Sequence, residues 1–185
     1  MKINNKLESI EKIKELNLNK FPEKTFKKNE ESKVKEFLKD YPAILYAIRD
    51  KSSPSGLFKF KVPKDEVLKE VIDYELFTIN VSSANYSNNQ LLVGEIEILS
   101  NNEIYATIST NKDYSVRDAL YNPDFNIKTD IFDNNTLNKI PCFNELYDYI
   151  ITNNLKDVII EFSLFNINLG IKKEKIIIYE LRTSY

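Results

Sequence analysis

The sequence predicts an α+β protein whose largely antiparallel sheet contains about seven strands. Apolar segments at residues 90–99 and 103–110 flank a short polar turn, and two further apolar segments flank a polar loop within residues 157–185. Two N-terminal segments have the apolar spacing of amphipathic helices, and later helices are expected to pack on the sheet. The chain has 185 residues, 42% of them hydrophobic, so we expect a single domain over residues 1–185.

The N-terminal region is predicted to contain two helices and a connector. Residues 6–17 place apolar side chains on one helical face, with Glu and Lys on the outside. These apolar residues are Leu7, Ile10, Ile13 and Leu16. Residues 18–29 are polar and basic and are predicted to be a connector, so residues 1–29 could form a peripheral appendage. A second helix is expected over residues 30–40 and ends before Pro42.

A buried strand is predicted to deliver an arginine to a serine-containing loop. Residues 43–50 are apolar until Arg49 and Asp50, and the loop that begins near Ser52 follows directly. An arginine fork beside hydroxyl and amide groups suits a phosphate. An ordinary hairpin turn with an Arg–Asp pair explains the same pattern.

The following segment alternates apolar residues with lysine. This pattern over residues 57–62 predicts a half-buried strand that projects Lys59 and Lys61 to one face. A helix over residues 64–74 begins after a proline, and residues 75–83 are predicted to form the next strand.

The second half of the chain is predicted to contain hairpins and two helices. In the hairpin of residues 90–110, Glu95 and Glu97 share one face, which is usually only solvated unless a metal or a lysine stands opposite. A short helix is expected near residues 115–121, a surface loop over residues 126–141 and an amphipathic helix over residues 142–154.

Composition excludes several function classes. The formal net charge is −2 and the isoelectric point is about 5.4, so no basic field favours nucleic acid or an anionic membrane. The absence of histidine excludes Ser-His-Asp and Cys-His catalysis, and the single cysteine, Cys142, excludes an intramolecular disulfide. Neither a signal peptide nor a bilayer-spanning segment is evident, so a cytoplasmic protein is expected.

Arginine is scarce in this sequence. Only Arg49, Arg117 and Arg182 occur among 26 basic residues, and lysine-rich composition indicates an AT-rich genome. These three arginines are retained either by chance or where a planar fork must bind carboxylate or phosphate. Arg117 lies in a first helical turn, where an acidic residue would suit the helix dipole, which fits an arginine directed at a ligand or an ordinary ion pair.

The last hairpin carries charge in strands that are otherwise apolar. Glu161 interrupts its first strand, and Glu180 and Arg182 interrupt its second, where they share a face. Charge inside a sheet is costly unless it is paired or used. These three residues are therefore candidate site residues.

The order of these motifs resembles a known family. The segments AIRDKS (47–52), VIIEF (158–162) and YELRT (179–183) resemble an early Arg-Ser-Ser strand and a last hairpin with acidic and Arg positions. These are found in the nucleotide-binding domains of the phosphoenolpyruvate synthase and pyruvate phosphate dikinase type, within the ATP-grasp superfamily. Asp50 and Lys51 stand where that family has serines, and the chain has only three glycines for a phosphate lid.

The resemblance implies an ATP-binding protein that uses Mg²⁺. Arg49 and Arg182 would contact phosphates, and Glu161 and Glu180 would be Mg²⁺ ligands, since carboxylate oxygens suit this cation. In such a protein, Lys59 or Lys61 would supply a further cationic contact to the nucleotide, and Ser52 in the nearby loop would also contact it. Arg117 would hold an acidic substrate.

Two other functions stay open on the sequence alone. The chain could be a non-enzymatic α+β binding or protein-interaction module for a small molecule or nucleotide, in which the charges of the last hairpin form only a cross-strand ion pair. A hydrolase or nuclease with a carboxylate cluster is the third alternative, although the acids are dispersed. Tyrosine-rich apolar strands could also bury a homodimer interface.

Overall fold

The computed structural model describes residues 2–52, 57–111, 116–140, 143–167 and 174–184. These residues form antiparallel strands in two sheets, of four and five strands, together with helices. The predicted α+β class and antiparallel pairing are confirmed. The strands form two sheets, however, rather than one sheet of about seven strands.

In chain order the elements are α1 (Lys6–Glu15), β1 (Glu23–Lys27), α2 (Glu31–Asp40), β2 (Leu45–Asp50), β3 (Phe58–Pro63), α3 (Val67–Glu70), β4 (Leu76–Val81), a 3-10 helix (Ser83–Asn89), β5 (Gln90–Ile98), β6 (Glu103–Ser109), α4 (Val116–Tyr121), β7 (Phe125–Asp130), α5 (Asn134–Leu137), α6 (Phe143–Thr152), β8 (Val158–Asn166) and β9 (Glu174–Thr183).

The chain divides into two compact units. We call Phe21–Ser87 the inserted unit, and Met1–Lys20 with Asn88–Tyr185 the terminal unit. The single domain over residues 1–185 stays a prediction. Among the described residues, no helix combines the length and the apolar character that a bilayer crossing requires.

The inserted unit is a four-stranded sheet in the order β1-β4-β2-β3. One face packs against α2 and α3, and Tyr46, Ile48 and Ile79 on this face are at most 1% exposed. The buried Tyr46 hydroxyl donates to the Tyr41 carbonyl oxygen at 2.8 Å, which satisfies its polar group.

The terminal unit is a five-stranded sheet in the order β7-β6-β5-β8-β9. One face forms the larger core together with apolar residues of α1 and α6. Gly94 on β5 allows a close approach to β6, because a Cβ at this position would lie 2.7 Å from the Thr107 carbonyl oxygen. The period of two then places Glu95 on the face opposite this core.

Four local predictions were wrong. The predicted connector contains strand β1, which pairs with β4, and the predicted surface loop contains β7 and α5. The expected helix over residues 64–74 is reduced to the single turn of α3. The half-buried strand predicted over residues 57–62 is instead the edge strand β3, and its apolar residues Phe58 and Phe60 are 49% and 42% exposed. Whether such a segment forms a strand depends on pairing partners far along the chain, which local composition does not encode.

Both predicted hairpins of the terminal unit are confirmed. β5 pairs with β6, and β8 pairs with β9, each antiparallel. The predicted helix over residues 142–154 is α6, while Cys142 lies outside the described residues.

Candidate functional site

Three carboxylates form a row across neighbouring strands of the terminal unit. Glu95 on β5 is the direct partner of Glu161 on β8, and Glu161 is the direct partner of Glu180 on β9. Directly opposite side chains in an antiparallel pair are about 5 Å apart at Cβ, so like charges here repel. We call Glu95, Glu161 and Glu180 the carboxylate row.

Arg182 bridges two members of the carboxylate row. One terminal nitrogen donates to Glu161 Oε1 at 2.7 Å, and the other donates to Glu95 Oε2. The side chains of Glu95 and Glu161 are only 16% and 18% exposed, whereas that of Arg182 is 37% exposed. The planar guanidinium can bind both carboxylates at once, which a lysine ammonium does with less geometric definition.

Glu180 has a different cationic partner. Lys6 of α1 forms an ion pair with the Glu180 carboxylate. The Ser9 hydroxyl of α1 accepts a hydrogen bond from the Leu181 backbone N–H at 2.8 Å, which holds this helix against β9. Helix α1 is thus part of the site's frame, although the sequence indicated only an amphipathic helix.

Burial acts against the charge of the two bridged carboxylates. It is the main reason that the pKa of Glu95 and the pKa of Glu161 are raised above the ordinary glutamate value. The neighbouring carboxylates raise these pKa values further, and Arg182 lowers them. Arg182 therefore opposes the effect of burial and favours the ionised form of both carboxylates.

Beyond the carboxylate row, the same face becomes apolar and buried. Ser163 follows Glu161 by two residues and thus lies on its side of the sheet, where it pairs with Val93 and Ile177. All three are at most 3% exposed. The Ser163 hydroxyl has no hydrogen-bond partner among the described residues, which is unusual for a buried polar atom.

The carboxylate oxygens fit a Mg²⁺ ion whose remaining ligands come from water and a bound phosphate. Mg²⁺ takes oxygen ligands, and proteins usually bind it with one or two carboxylates plus waters and substrate phosphates. Glu161 and Glu180, on facing positions of β8 and β9, provide such oxygens. Among the described residues there is no group of three or more Asp, Glu, Cys or His arranged to hold a metal by itself.

In the inserted unit, Arg49 lies near the end of β2. Its guanidinium carbon stands 4.5 Å from the ring centre of Phe58 on the neighbouring strand β3. Stacking of this kind is worth about 0.5–1 kcal/mol at exposed sites and fixes the plane of the fork. The role of Arg49 as a phosphate contact stays a prediction.

The inserted unit contains three other candidate residues, and two of them, Ser52 and Lys59, contact other residues of the same unit. The Ser52 hydroxyl accepts from the backbone N–H groups of Glu75 and Leu76, both at 3.1 Å, and so connects the end of β2 to the start of β4. Lys59 forms an ion pair with Glu70 of α3. Lys61 is exposed on the edge strand β3.

Arg117 is exposed on α4 in the terminal unit. Asp113, an acidic residue four positions before Arg117, lies outside the described residues. The predicted role of Arg117 therefore stays a prediction.

Sequence reasoning missed Glu95 and Lys6 as members of this charged cluster. The available signal for Glu95 was its shared face with Glu97 and the condition that a metal or a lysine stand opposite. The cation that pairs with Glu95 is instead an arginine, Arg182, from a strand 87 positions later. No comparable signal existed for Lys6, one of several lysines on an amphipathic helix.

The chain was compared with protein-family models, curated proteins and solved structures. No protein-family model and no curated protein matches the chain. The D-alanine-D-alanine ligase from Helicobacter pylori matches with a TM-score of 0.54 at 11% identity, over 97% of this chain and 53% of that chain.

Two further solved structures match at lower scores. The D-alanine-D-alanine ligase from Coxiella burnetii has a TM-score of 0.49 at 10% identity, over 96% of this chain and 47% of that chain. Phosphoribosylglycinamide synthetase from Anaerococcus prevotii has a TM-score of 0.47 at 9% identity, over 97% of this chain and 42% of that chain. The chain thus spans about half the length of the solved structures that it matches. The likeness to the Helicobacter pylori ligase shows that this chain shares its fold with part of that protein.

Proposed function

We propose that the chain is an ATP-grasp-like protein that binds ATP with Mg²⁺ and acts in ligase-type or phosphoryl-transfer chemistry. The observation that carries this proposal is the carboxylate row with Arg182, which lies on one sheet face of an ATP-grasp fold. Cations and carboxylates in one partly buried place are what a nucleotide polyphosphate and its Mg²⁺ require.

In this proposal each candidate residue has a defined task. Glu161 and Glu180 hold Mg²⁺, which neutralises charge on the phosphates. Arg182 and Arg49 bind phosphate oxygens through their forks. The remaining candidates are Lys59, Lys61 and Ser52 for nucleotide contacts and Arg117 for an acidic substrate.

The ligase-type reaction needs little covalent chemistry from these side chains. A substrate carboxylate oxygen attacks the γ-phosphorus of ATP, the bond to the β–γ bridging oxygen breaks, and ADP leaves with an acyl phosphate remaining. The positive groups stabilise the charge that develops on the transferred phosphoryl group and on ADP. Because the chain has no histidine, a phosphohistidine intermediate on this chain is excluded.

The proposal also includes the type of ATP-grasp protein that the sequence motifs resemble. The AIRDKS and YELRT segments favour the phosphoenolpyruvate synthase and pyruvate phosphate dikinase type, whereas the matched structures are ligases. A small-molecule or nucleotide ligand, rather than a nucleic acid, agrees with the net charge of −2. A cytoplasmic location is also part of the proposal.

Thermal unfolding with Mg²⁺-ATP tests the proposal. Saturation at about 100 times the dissociation constant should stabilise the chain by ~2.7 kcal/mol. Glu180→Gln should abolish this stabilisation because it removes a proposed Mg²⁺ ligand. Glu75→Gln is the matched control, since Glu75 is an exposed glutamate of the inserted unit that pairs only with Lys28 in a surface ion pair.

The absence of any shift at millimolar ATP would contradict the proposal. It would favour the second candidate, a protein-interaction module, which one observation supports. Leu57, Phe58 and Phe60 on or beside the edge strand β3 are 63%, 49% and 42% exposed. Exposed apolar side chains on a strand edge are typical of a surface that pairs with another chain, including a second copy.

A further inference from the structure

The charges around the carboxylate row do not balance. Glu97 shares the face of Glu95 and accepts a hydrogen bond from the Ser184 hydroxyl, so four glutamates lie together on this face. Arg182 and Lys6 are the two cations that pair with them. With all four glutamates ionised, two negative charges would be left over, which is the charge that one divalent cation neutralises.

Arg182 contacts the carboxylates that such a cation would bind. Its two terminal nitrogens occupy one oxygen each of Glu161 and Glu95. An ion that approaches Glu161 meets the positive guanidinium, whose nitrogen lies 2.7 Å from Oε1, so the two cations compete for the same carboxylate. Removal of the guanidinium would leave two half-buried carboxylates facing each other without a counter-ion, an arrangement that is strongly unfavourable.

A separate observation indicates that this face receives a ligand. The Ser163 hydroxyl, 1% exposed and without a partner among the described residues, lies one step along β8 from Glu161 on the same side of the sheet. Buried polar atoms are nearly always hydrogen-bonded, so this hydroxyl, which has no partner among the described residues, is available to a group that binds on this face.

We propose that Arg182 is a built-in competitor for the divalent cation, that Glu95 positions it, and that the cation binds Glu161 tightly only when Arg182 moves away from this carboxylate. A polyphosphate draws the guanidinium away from Glu161, so nucleotide and cation bind cooperatively rather than independently. The identity of the polyphosphate rests on the proposed function, while the competition itself does not.

Binding of Mn²⁺ alone tests the competition, with the electron paramagnetic resonance signal of free Mn²⁺ as the readout. Arg182→Gln should bind Mn²⁺ about tenfold more tightly than the wild type without any nucleotide, a coupling within the usual range for linked sites. Adding Glu180→Gln to this variant should abolish the gain. Because no ATP is present, the result is independent of whether the Mg²⁺-ATP shift is found.

A second variant and a control keep the test decisive. Glu95→Gln combined with Arg182→Gln removes one carboxylate together with the guanidinium, so it should fold even if Arg182→Gln alone fails to fold. This double variant should still bind Mn²⁺ more tightly than the wild type. Lys128→Gln removes one positive charge from the same sheet, 3.4 Å from Glu103, and should leave Mn²⁺ affinity unchanged. The proposal is overturned if neither Arg182 variant gains affinity, or if Lys128→Gln gains as much.

Discussion

Arg182 donates to Glu161 at 2.7 Å across the last strand pair of the five-stranded sheet. Its partners Glu161 and Glu95 are largely buried, so this interaction is less screened by water than a surface ion pair. The first prediction concerns its energy. A double-mutant cycle of Arg182→Gln and Glu161→Gln should give a coupling of about 1–3 kcal/mol in the free energy of unfolding.

The Lys28–Glu75 pair provides the comparison for that cycle. Its side chains are 43% and 67% exposed, and its coupling should lie at about 0.2–1 kcal/mol, as for other surface ion pairs. Equal couplings for the two pairs would contradict the view that burial strengthens the Arg182 network.

Gly94→Ala should destabilise the terminal unit. The added Cβ would meet the Thr107 carbonyl oxygen at 2.7 Å and the Ile108 side chain at 2.8 Å, so β5 must move away from β6. We expect a loss of about 1–3 kcal/mol, the usual cost of overpacking, measured by urea unfolding. Ser163→Ala, at another buried position of this sheet, should cost little because it removes an unpartnered hydroxyl. A stable Gly94→Ala variant would show that the strands can separate freely here.

Arg49→Lys should weaken binding of Mg²⁺-ATP by about tenfold while the charge is retained. A lysine lacks the planar fork, and it cannot stack over the Phe58 ring as the guanidinium does at 4.5 Å. The measurement is the ATP concentration that produces half of the thermal shift. Phe58→Leu should weaken binding in the same direction but less. Wild-type affinity in Arg49→Lys would exclude a phosphate contact that depends on the fork.

Asp124 should contribute to stability at neutral pH and lose this contribution in acid. Hydrogen bonds from the Thr110 backbone N–H at 2.5 Å and the Thr110 hydroxyl at 2.8 Å hold the pKa of Asp124 below its ordinary value of 3.8. A carboxyl with a lowered folded-state pKa stabilises the fold above its unfolded-state pKa and ceases to do so as the pH falls through the folded-state value.

Asp124→Asn should therefore flatten the acid limb of the stability curve. Thermal unfolding between about pH 5 and pH 2 would show a smaller decrease for the variant than for the wild type. An unchanged slope in the variant would mean that the Thr110 hydrogen bonds do not favour the ionised carboxylate.

Much of the fold could be predicted from local pattern. The hairpin of β5 and β6 and the final hairpin of β8 and β9 were both recognised from alternating residues and polar turns. Strand β1 was missed because its polar sequence, EKTFK, contains a single buried side chain, Phe26. Such an edge strand is stabilised by pairing with β4, whose residues lie about 50 positions later.

The candidate site was predicted in part for the same reason. The alternation of a strand places Glu180 and Arg182 on one face and Glu95 and Glu97 on another, and this holds for any strand whatever its neighbours. The sequence by itself therefore determined which charged residues share a face. Backbone geometry is a local property, and these assignments needed no knowledge of the fold.

Only the tertiary structure decided which of these faces meet. The order β5-β8-β9 and the register that pairs Glu95 with Glu161 and Glu161 with Glu180 bring together residues from positions 95 to 182. The bulge between Glu161 and Phe162 keeps Glu180 and Arg182 on the face of Glu161, while Ile178 and Leu181 stay in the core. Register is set by burial of the opposite, apolar face, because a shift by one residue would place every charge in that core.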